Sequence, residues 1–472
     1  MYMYLEEKKM KLKKIISMML AVAVAAGICA SCGKKAEDDG KVTLSIGGWP
    51  SNEGDWLDTM NKYKEDFEAE NPNITIKPDT WGFDLKTFYP KAESGLLPDT
   101  FDTPFTEFKK LTDGDYVEDV TEALKKTGFY DNMNTRLRDE ICSKDGKIYA
   151  FPRKAYALGV NINLKLWNEA GLLEADGTPK QPKTWEELAE FAQIIKEKTG
   201  KPGFTLCTTN NCGGWFFTNI AWSYGVDFME QQKDGTWKAT FDTPEAVEAL
   251  QFIKDLKWKY NCVPSNNLID QEEALKLLAT YQTGMILDGP RDTINKYEMD
   301  TMDYGMIPLP AGPKRHVALY GGELRCCSKG TTLAQQEAAY NWLAFIGTNY
   351  ELSDDAKARS EANYQKNAAD KVPIGVKALS IWNENAESLK FRNEMIDKYT
   401  NMSPNGVRLY NESLYDSSIE LQAEEPACCQ DLYGLLDTII QTVYTDKDAD
   451  CAALIKQANE DFQKNFLDKL DQ

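Results

Sequence analysis

The chain has 472 residues, 54 basic and 74 acidic side chains and a formal charge of −20. That charge argues against nucleic acid or an anionic lipid surface as an electrostatic partner. The single histidine, His316, leaves no material for histidine triads or histidine metal clusters.

In chain order, Lys8, Lys9, Lys11, Lys13 and Lys14 come first, followed by the apolar run IISMMLAVAVAAGI over residues 15–28. The run is shorter than the roughly 20 residues that span a bilayer. A basic start, a short apolar middle and small residues at the end mark an export signal, and KKMKLKK leaves Met10 as an alternative start. The end of the run, Ala30-Ser31-Cys32, resembles the lipobox of bacterial lipoproteins, although Cys29 stands where that pattern usually has leucine. The resemblance implies that residues 1–31 are a signal peptide and that Cys32 is lipidated, anchoring the protein on the outer face of the cell membrane. The polar stretch beginning GKKAEDD reads as a flexible tether over residues 32–40.

The chain beyond the tether is too long for one core of at most about 250 to 300 residues, so two lobes are expected. It contains no second run of about 18 apolar residues, so only the lipid anchor would hold it to a membrane. Besides Cys29 and Cys32, nine cysteines remain. Cys207 and Cys212 could bridge, but no regular framework shows, and buried reduced thiols are expected for most of them. Their spacings lack the paired C-x2-C of zinc sites, and DKDAD at residues 446–450 lacks the glycine and glutamate of a calcium loop. Neither metal nor cofactor is expected. G-x-S-x-G, H-E-x-x-H and the phosphate-loop pattern do not occur.

Val42, Leu44 and Ile46 alternate with polar residues before Gly47-Gly48, as in a strand entering a loop. A helix comes next with Trp56, Met60, Tyr63 and Phe67 on one stripe, and NPNITIKPDTW then gives a turn and a second strand. The order β, α, β suggests a parallel sheet with helices on its faces. Further on, Thr184 caps a helix that Gly200 and Pro202 end, and Thr243 with Pro244 opens another. Between them lies the aromatic block NNCGGWFFTNIAWSYG.

The stretches SGLLPDTFDT, DGKIYAFPRKAYALGVNINLKLWNEAGL with PKTWEEL after it, YQTGMILDGPRD with MDYGMIPLPAGP, and AAYNWLAFI resemble, in this order, segments of the extracellular solute-binding proteins of ABC importers, the maltose-binding-protein-like group. The likeness extends over nearly all of residues 41–472. It implies an α/β, two-lobed periplasmic-binding-protein-like fold of type II, whose lobes are joined by crossover hinges and close on a solute. It also implies residues 41–152 and 286–347 in lobe 1, residues 153–285 and 348–472 in lobe 2, an ABC permease as partner, a monomer, and no enzymatic activity. Competing readings are a surface glycan lyase or hydrolase using two carboxylates and an adhesin without transport.

Cleft residues in this family sit after strands and at crossovers. By that criterion the ligand candidates are Trp49, Asn52 and Glu53 after the first strand, Trp81 after the second, and Asp102 and Thr103 after SGLLPDTF. Arg153 and Tyr156 come from the first crossover, Asp288 and Arg291 from the second, Trp215 from the aromatic block, Gly322 and Glu323 from after PLPAGP, and Tyr433 from a late helix. Flat aromatics suit the apolar face of a sugar, and Asp, Glu, Asn and Arg suit its hydroxyls, so a carbohydrate solute is expected. Trp56, Trp185 and Trp342 fall in helix stripes and are assigned to packing.

Overall fold

A computed structural model describes residues 40–470; the expected signal peptide, Cys32 and nearly all of the expected tether lie outside them. The alternation at the start of the described chain becomes strand β1 (Val42–Ile46), which buries Leu44 and Ile46. Helix α1 (Asp55–Glu70) returns the chain to β2 (Ile74–Pro78), which pairs with β1 in parallel from Val42 opposite Ile74. Helix α2 (Leu85–Glu93), capped by the Asp84 carboxylate, leads to β3 (Thr100–Pro104) on the other side of β1, again parallel. The β-α-β order read from the sequence is the order found.

Strand β4 (Ala150–Ala157) carries the chain out of this lobe. Its Phe151 and Ala155 pack in the first core, while Leu158, just past its end, packs in the second. There β5 (Gly159–Asn163) is buried along its whole length, so it needs a neighbour on either side. Before those neighbours come a short helix (Leu164–Glu169) and the longer helices α3 (Trp185–Thr199), α4 (Cys212–Tyr224), α5 (Pro244–Trp258) and α6 (Gln271–Ala279). Thr184 caps α3 by accepting from the Glu187 amide at 3.2 Å, and Gly200, at φ 72°, ends it. Thr243 caps α5 with Pro244 at its first turn. The aromatic block is α4. Its glycines allow close packing, since a Cβ on Gly214 would stand 2.5 Å from the Tyr433 Cα.

The neighbours of β5 are β6 (Met285–Asp288) and β7 (Tyr304–Pro308), both antiparallel to it. This corrects the expected lobe boundary at residue 286, because both strands complete the second lobe's sheet. The chain returns instead on β8 (Val317–Cys327). Its Val317, Ala318 and Leu319 belong to the second core, whereas Tyr320, Leu324 and Cys326 belong to the first. It pairs antiparallel with β4 and with β3, with a register irregularity between Glu323 and Leu324 in the β4 ladder.

Helix α7 (Leu333–Phe345) then packs Tyr340, Trp342 and Leu343 into the first core. Helices α8 (Asp354–Ala369) and α9 (Glu387–Tyr399) come next, and Leu379, Ile381, Trp382 and Leu389 join the first core rather than the second, a second departure from the expected division at residue 348. Helix α10 (Pro404–Ser413), β9 (Glu420–Gln422, parallel to the start of β8), α11 (Cys429–Thr445) and α12 (Cys451–Asn465) finish the second lobe, with Leu432, Ile440, Ile455 and Phe462 in its core. DKDAD is the loop between α11 and α12, and its Asp450 caps α12. Cys207 and Cys212 form a disulfide, and among the described residues the other cysteines are free and buried, apart from the half-buried Cys428. His316 is half-buried, its Nε2 donating to the Leu309 carbonyl at 2.8 Å.

Candidate ligand cleft

A cavity of ≈ 1280 Å³ opens where β4 passes between the cores, and it is lined from both lobes and from the crossing strand. Arg153, Tyr156, Trp215, Asp288 and Arg291 line it, so five of the residues expected from sequence come together.

Trp215 stands in the first turn of α4, and its indole Nε1 donates to Glu424 Oε1 at 3.2 Å. The Tyr433 hydroxyl donates to Glu424 Oε2 at 3.0 Å. Burial pushes the Glu424 carboxyl up to about 7, against the pull of these donors, with some help from the charge of Glu107. Glu107 itself is buried in the first lobe, 3.3 Å from Lys110 Nζ. The charge of Glu107 thus reaches Glu424 from the other lobe, and Glu424 orients the edge of Trp215. Tyr156 is wedged between glycines: a Cβ on Gly321 would stand 2.6 Å from its hydroxyl and one on Gly289 3.3 Å from its ring. Burial raises the pKa of this phenol, so it stays a neutral donor.

Apart from Glu53, the charged candidates are ion-paired. Asp102 on β3 accepts from Arg153 on β4 and from Arg325 Nη2 on β8 at 2.9 Å, tying three neighbouring strands together. Arg291 forks onto Asp288 at 2.7 and 2.8 Å, and Gln271 and the Gly289 amide also donate to that carboxylate. Burial pushes the Asp288 carboxyl up, and its paired guanidinium opposes the shift. Glu323 lies 3.5 Å from Lys154.

Other candidates are elsewhere. Trp49 is only 4% exposed, stacked on Trp342 at 5.7 Å with its Nε1 bonded to Asn61, because the Gly-Gly turn directs it into the first core. Tyr433 is buried beneath Glu424, where α4 and α11 meet. Thr103 is buried in the sheet. Gly322 serves close packing, since a Cβ there would stand 1.9 Å from the Lys154 carbonyl oxygen. Trp81 is half-buried against Phe88 and Phe101, with Lys91 over its ring at 5.7 Å, and Asn52 and Glu53 are exposed on the loop before α1; none of the three lines the cavity.

Trp185 and Trp342 pack as expected, but Trp56 does not: it is 63% exposed and lines the cavity with Tyr63. It occupies the second position of α1, ahead of the stripe's buried members Met60 and Phe67. Reading the stripe together with the helix start would have found it. Glu424, Arg359 and Arg392, also missed by sequence reasoning, carry no comparable local signal.

Two α/β lobes, crossing strands between them and an aromatic-lined cavity at the crossing define a two-lobed binding protein of the type II periplasmic kind. Residues 51–383 match the family of bacterial extracellular solute-binding proteins, and the chain belongs to that family. Among relatives, a protein of Brucella abortus (strain 2308) named only as a binding protein is 26% identical over 63% of this chain and 69% of its own length. The multiple sugar-binding protein of Streptococcus mutans is 28% identical over 44% and 46%, and the melibiose/raffinose/stachyose-binding protein of Bacillus subtilis 26% over 40% and 41%. Among solved structures, an ABC substrate-binding protein of Listeria monocytogenes in complex with cycloalternan superposes with a TM-score of 0.61 at 17% identity, covering 90% of this chain and 99% of that one. The Mycobacterium tuberculosis UgpB complex with glycerophosphocholine gives 0.64 at 14% identity, over 91% and 99%. The family is one of binding proteins.

Proposed function

We propose that the chain captures an oligosaccharide between its lobes and delivers it to the permease of an ABC importer. The observation that carries this reading is the disposition of aromatic side chains around one cavity: Trp56 from the first lobe, Trp215 from the second, and Tyr156 on the strand between. Aromatic rings offer large apolar faces for the C–H faces of sugars, and the neutral Tyr156 hydroxyl supplies a donor at the same place. Sugar-binding relatives add support, as does a cavity at a lobe boundary, a common location for small-molecule sites. In this reading the lobes close about β4 and β8 as a hinge. The protein acts as a monomer on the extracytoplasmic face of the membrane, held by a lipid on Cys32, and performs no chemistry on its solute.

A thermal-shift screen of the chain lacking residues 1–31 against neutral and acidic oligosaccharides tests the ligand class, because a solute at 100 times its Kd adds roughly 2.7 kcal/mol of stability. Small-angle scattering with the solute so found should give a smaller radius of gyration than without it. Stabilisation by peptides or free amino acids and by no saccharide would refute the reading. Cys32→Ala should move the protein from the membrane fraction to the medium, and retention in the membrane would refute the anchor.

A further inference from the structure

One end of the cavity is built from α8 and α9 rather than from the crossing strands, and Arg359, Ser388 and Arg392 line it there. Elsewhere in the cavity the cations are matched: Arg153 by Asp102, Arg291 by Asp288 and Lys154 by Glu323. Arg392 has no such partner among the described residues. Its Nη2 donates to the Ala378 carbonyl at 3.3 Å, while its Nε is buried without a hydrogen bond. The ionisable groups acting on it are the Tyr364 and Tyr415 phenols, not carboxylates. Ser388, one helical turn earlier, likewise has a buried hydroxyl without a hydrogen bond. Arg359 lies over the Tyr63 ring at 5.6 Å and makes no ion pair among the described residues. Of the acids flanking it along α9, Glu394 is exposed and makes no ion pair with it among the described residues, and Glu387 is taken by Lys357 at 2.5 Å. The carboxylates that do line the cavity, Asp288 and Asp292, stand at and just after the end of β6.

A half-buried guanidinium whose Nε is shielded from water and which has no counter-charge, beside an unsatisfied hydroxyl, is costly, and an oxyanion would relieve both deficits. We infer that the α8–α9 end of the cavity binds an anionic group on the solute, so that the oligosaccharide is an acidic one, carrying a carboxylate or a sulfate ester. The inference rests on the oligosaccharide reading above and narrows it. Arg392 meets the oxyanion with its planar fork, Ser388 donates to a second oxygen, and Arg359 closes over the outer side. Trp56, on the same wall of the cavity, takes a neighbouring sugar ring on its face.

Calorimetry at low and high salt should compare oligogalacturonates, 4-O-sulfated chondroitin tetrasaccharides and neutral xylo-oligosaccharides on the wild-type chain, Arg392→Gln and Arg392→Lys, with circular dichroism to confirm folding. One acidic series is expected to bind at least about tenfold more tightly than the neutral one, with the advantage shrinking as salt rises. Which series binds tells carboxylate from sulfate. R392Q should close the gap, and R392K should restore only part of it, because a lysine keeps the charge and loses the fork. Neutral sugars binding as tightly as acidic ones, or an acidic preference unchanged in R392Q, overturns the inference while leaving the oligosaccharide reading intact. If no oligosaccharide binds, the two readings separate on simple anions. A thermal shift from inorganic sulfate or free galacturonate that R392Q abolishes keeps the anion site and ends the oligosaccharide reading, whereas no such shift overturns the inference.

Discussion

Replacing Trp56 by alanine, alongside Trp49 by alanine, separates binding from folding at two tryptophans seven residues apart. A tryptophan buries about 150–250 Å² when fully enclosed. At 63% exposure Trp56 therefore keeps about 125 Å² open in the unliganded cleft. A sugar stacked on one face covers about half of that, and at about 25 cal/mol per Å² the contact is worth about 1.5 kcal/mol, roughly tenfold in Kd. The stability of the unliganded chain should change by no more than about 0.5 kcal/mol, as for other surface positions. Trp49 inverts both expectations. It is 4% exposed and stacked on Trp342, so W49A should cost about 3–5 kcal/mol of stability. Affinity in whatever fraction remains folded should be little altered. Urea unfolding and calorimetry with the saccharide found by screening measure the two quantities. Unchanged affinity in W56A, or weakened binding in a W49A chain of wild-type stability, would refute the assignment of the two rings.

The strand crossing and the buried acids each carry a further expectation. Gly322→Ala puts a Cβ where the Lys154 carbonyl oxygen is 1.9 Å away, so β4 and β8 must move apart; a loss of about 1–3 kcal/mol in urea unfolding is expected, and wild-type stability would show that the two strands do not pack this closely. Burial holds Glu424 and Glu425 up at about 7. Between the usual carboxylate range and that value the folded chain keeps protons the unfolded chain has lost, so these groups favour folding most at low pH and their contribution falls as pH rises towards and through 7. The double variant E424Q/E425Q should show a smaller drop in thermal midpoint between about pH 5 and about pH 8, and an undiminished drop would remove both residues from the account.

Much of the fold is legible because it is written in local periodicity. Val42, Leu44 and Ile46 announce β1, and Thr184, Gly200, Thr243 and Pro244 bound their helices as the chemistry of caps dictates. The lobe boundary is less legible because partner choice is not local. The buried run Met285–Asp288 would suit a strand of either sheet, and only the unfilled sides of β5 decide that it joins the second. Site residues divide in the same way. Arg153, Tyr156 and Trp215 fall on the cavity wall, at crossovers and helix starts that are recognisable positions, whereas Trp49 and Tyr433 fall in the cores, and no pattern tells whether a ring turns toward the core or the cleft. Arg392 is invisible for a different reason. It is distinguished by the carboxylate it does not meet, and a missing partner is a property of the assembled structure.

The same non-local arrangement bears on how the proposed closure would be coupled to binding. β8 enters with Leu319 in the second core and leaves with Tyr320 in the first, and β4 changes cores between Ala155 and Leu158. The two strands therefore change cores at facing positions, Tyr320 opposite Ala157, which places a bending axis where neither core has to be broken. On the first-lobe side of that axis, Asp102 ties Arg153 and Arg325 so that β3, β4 and β8 move as one body. On the other side Trp215 is fixed to the second lobe through Glu424. Bending at the axis would carry Trp56 and Trp215 towards or away from each other while leaving each on its own rigid support. A solute touching both rings gains its second contact only in the closed arrangement, and that differential contact is what a ligand needs in order to shift a conformational equilibrium.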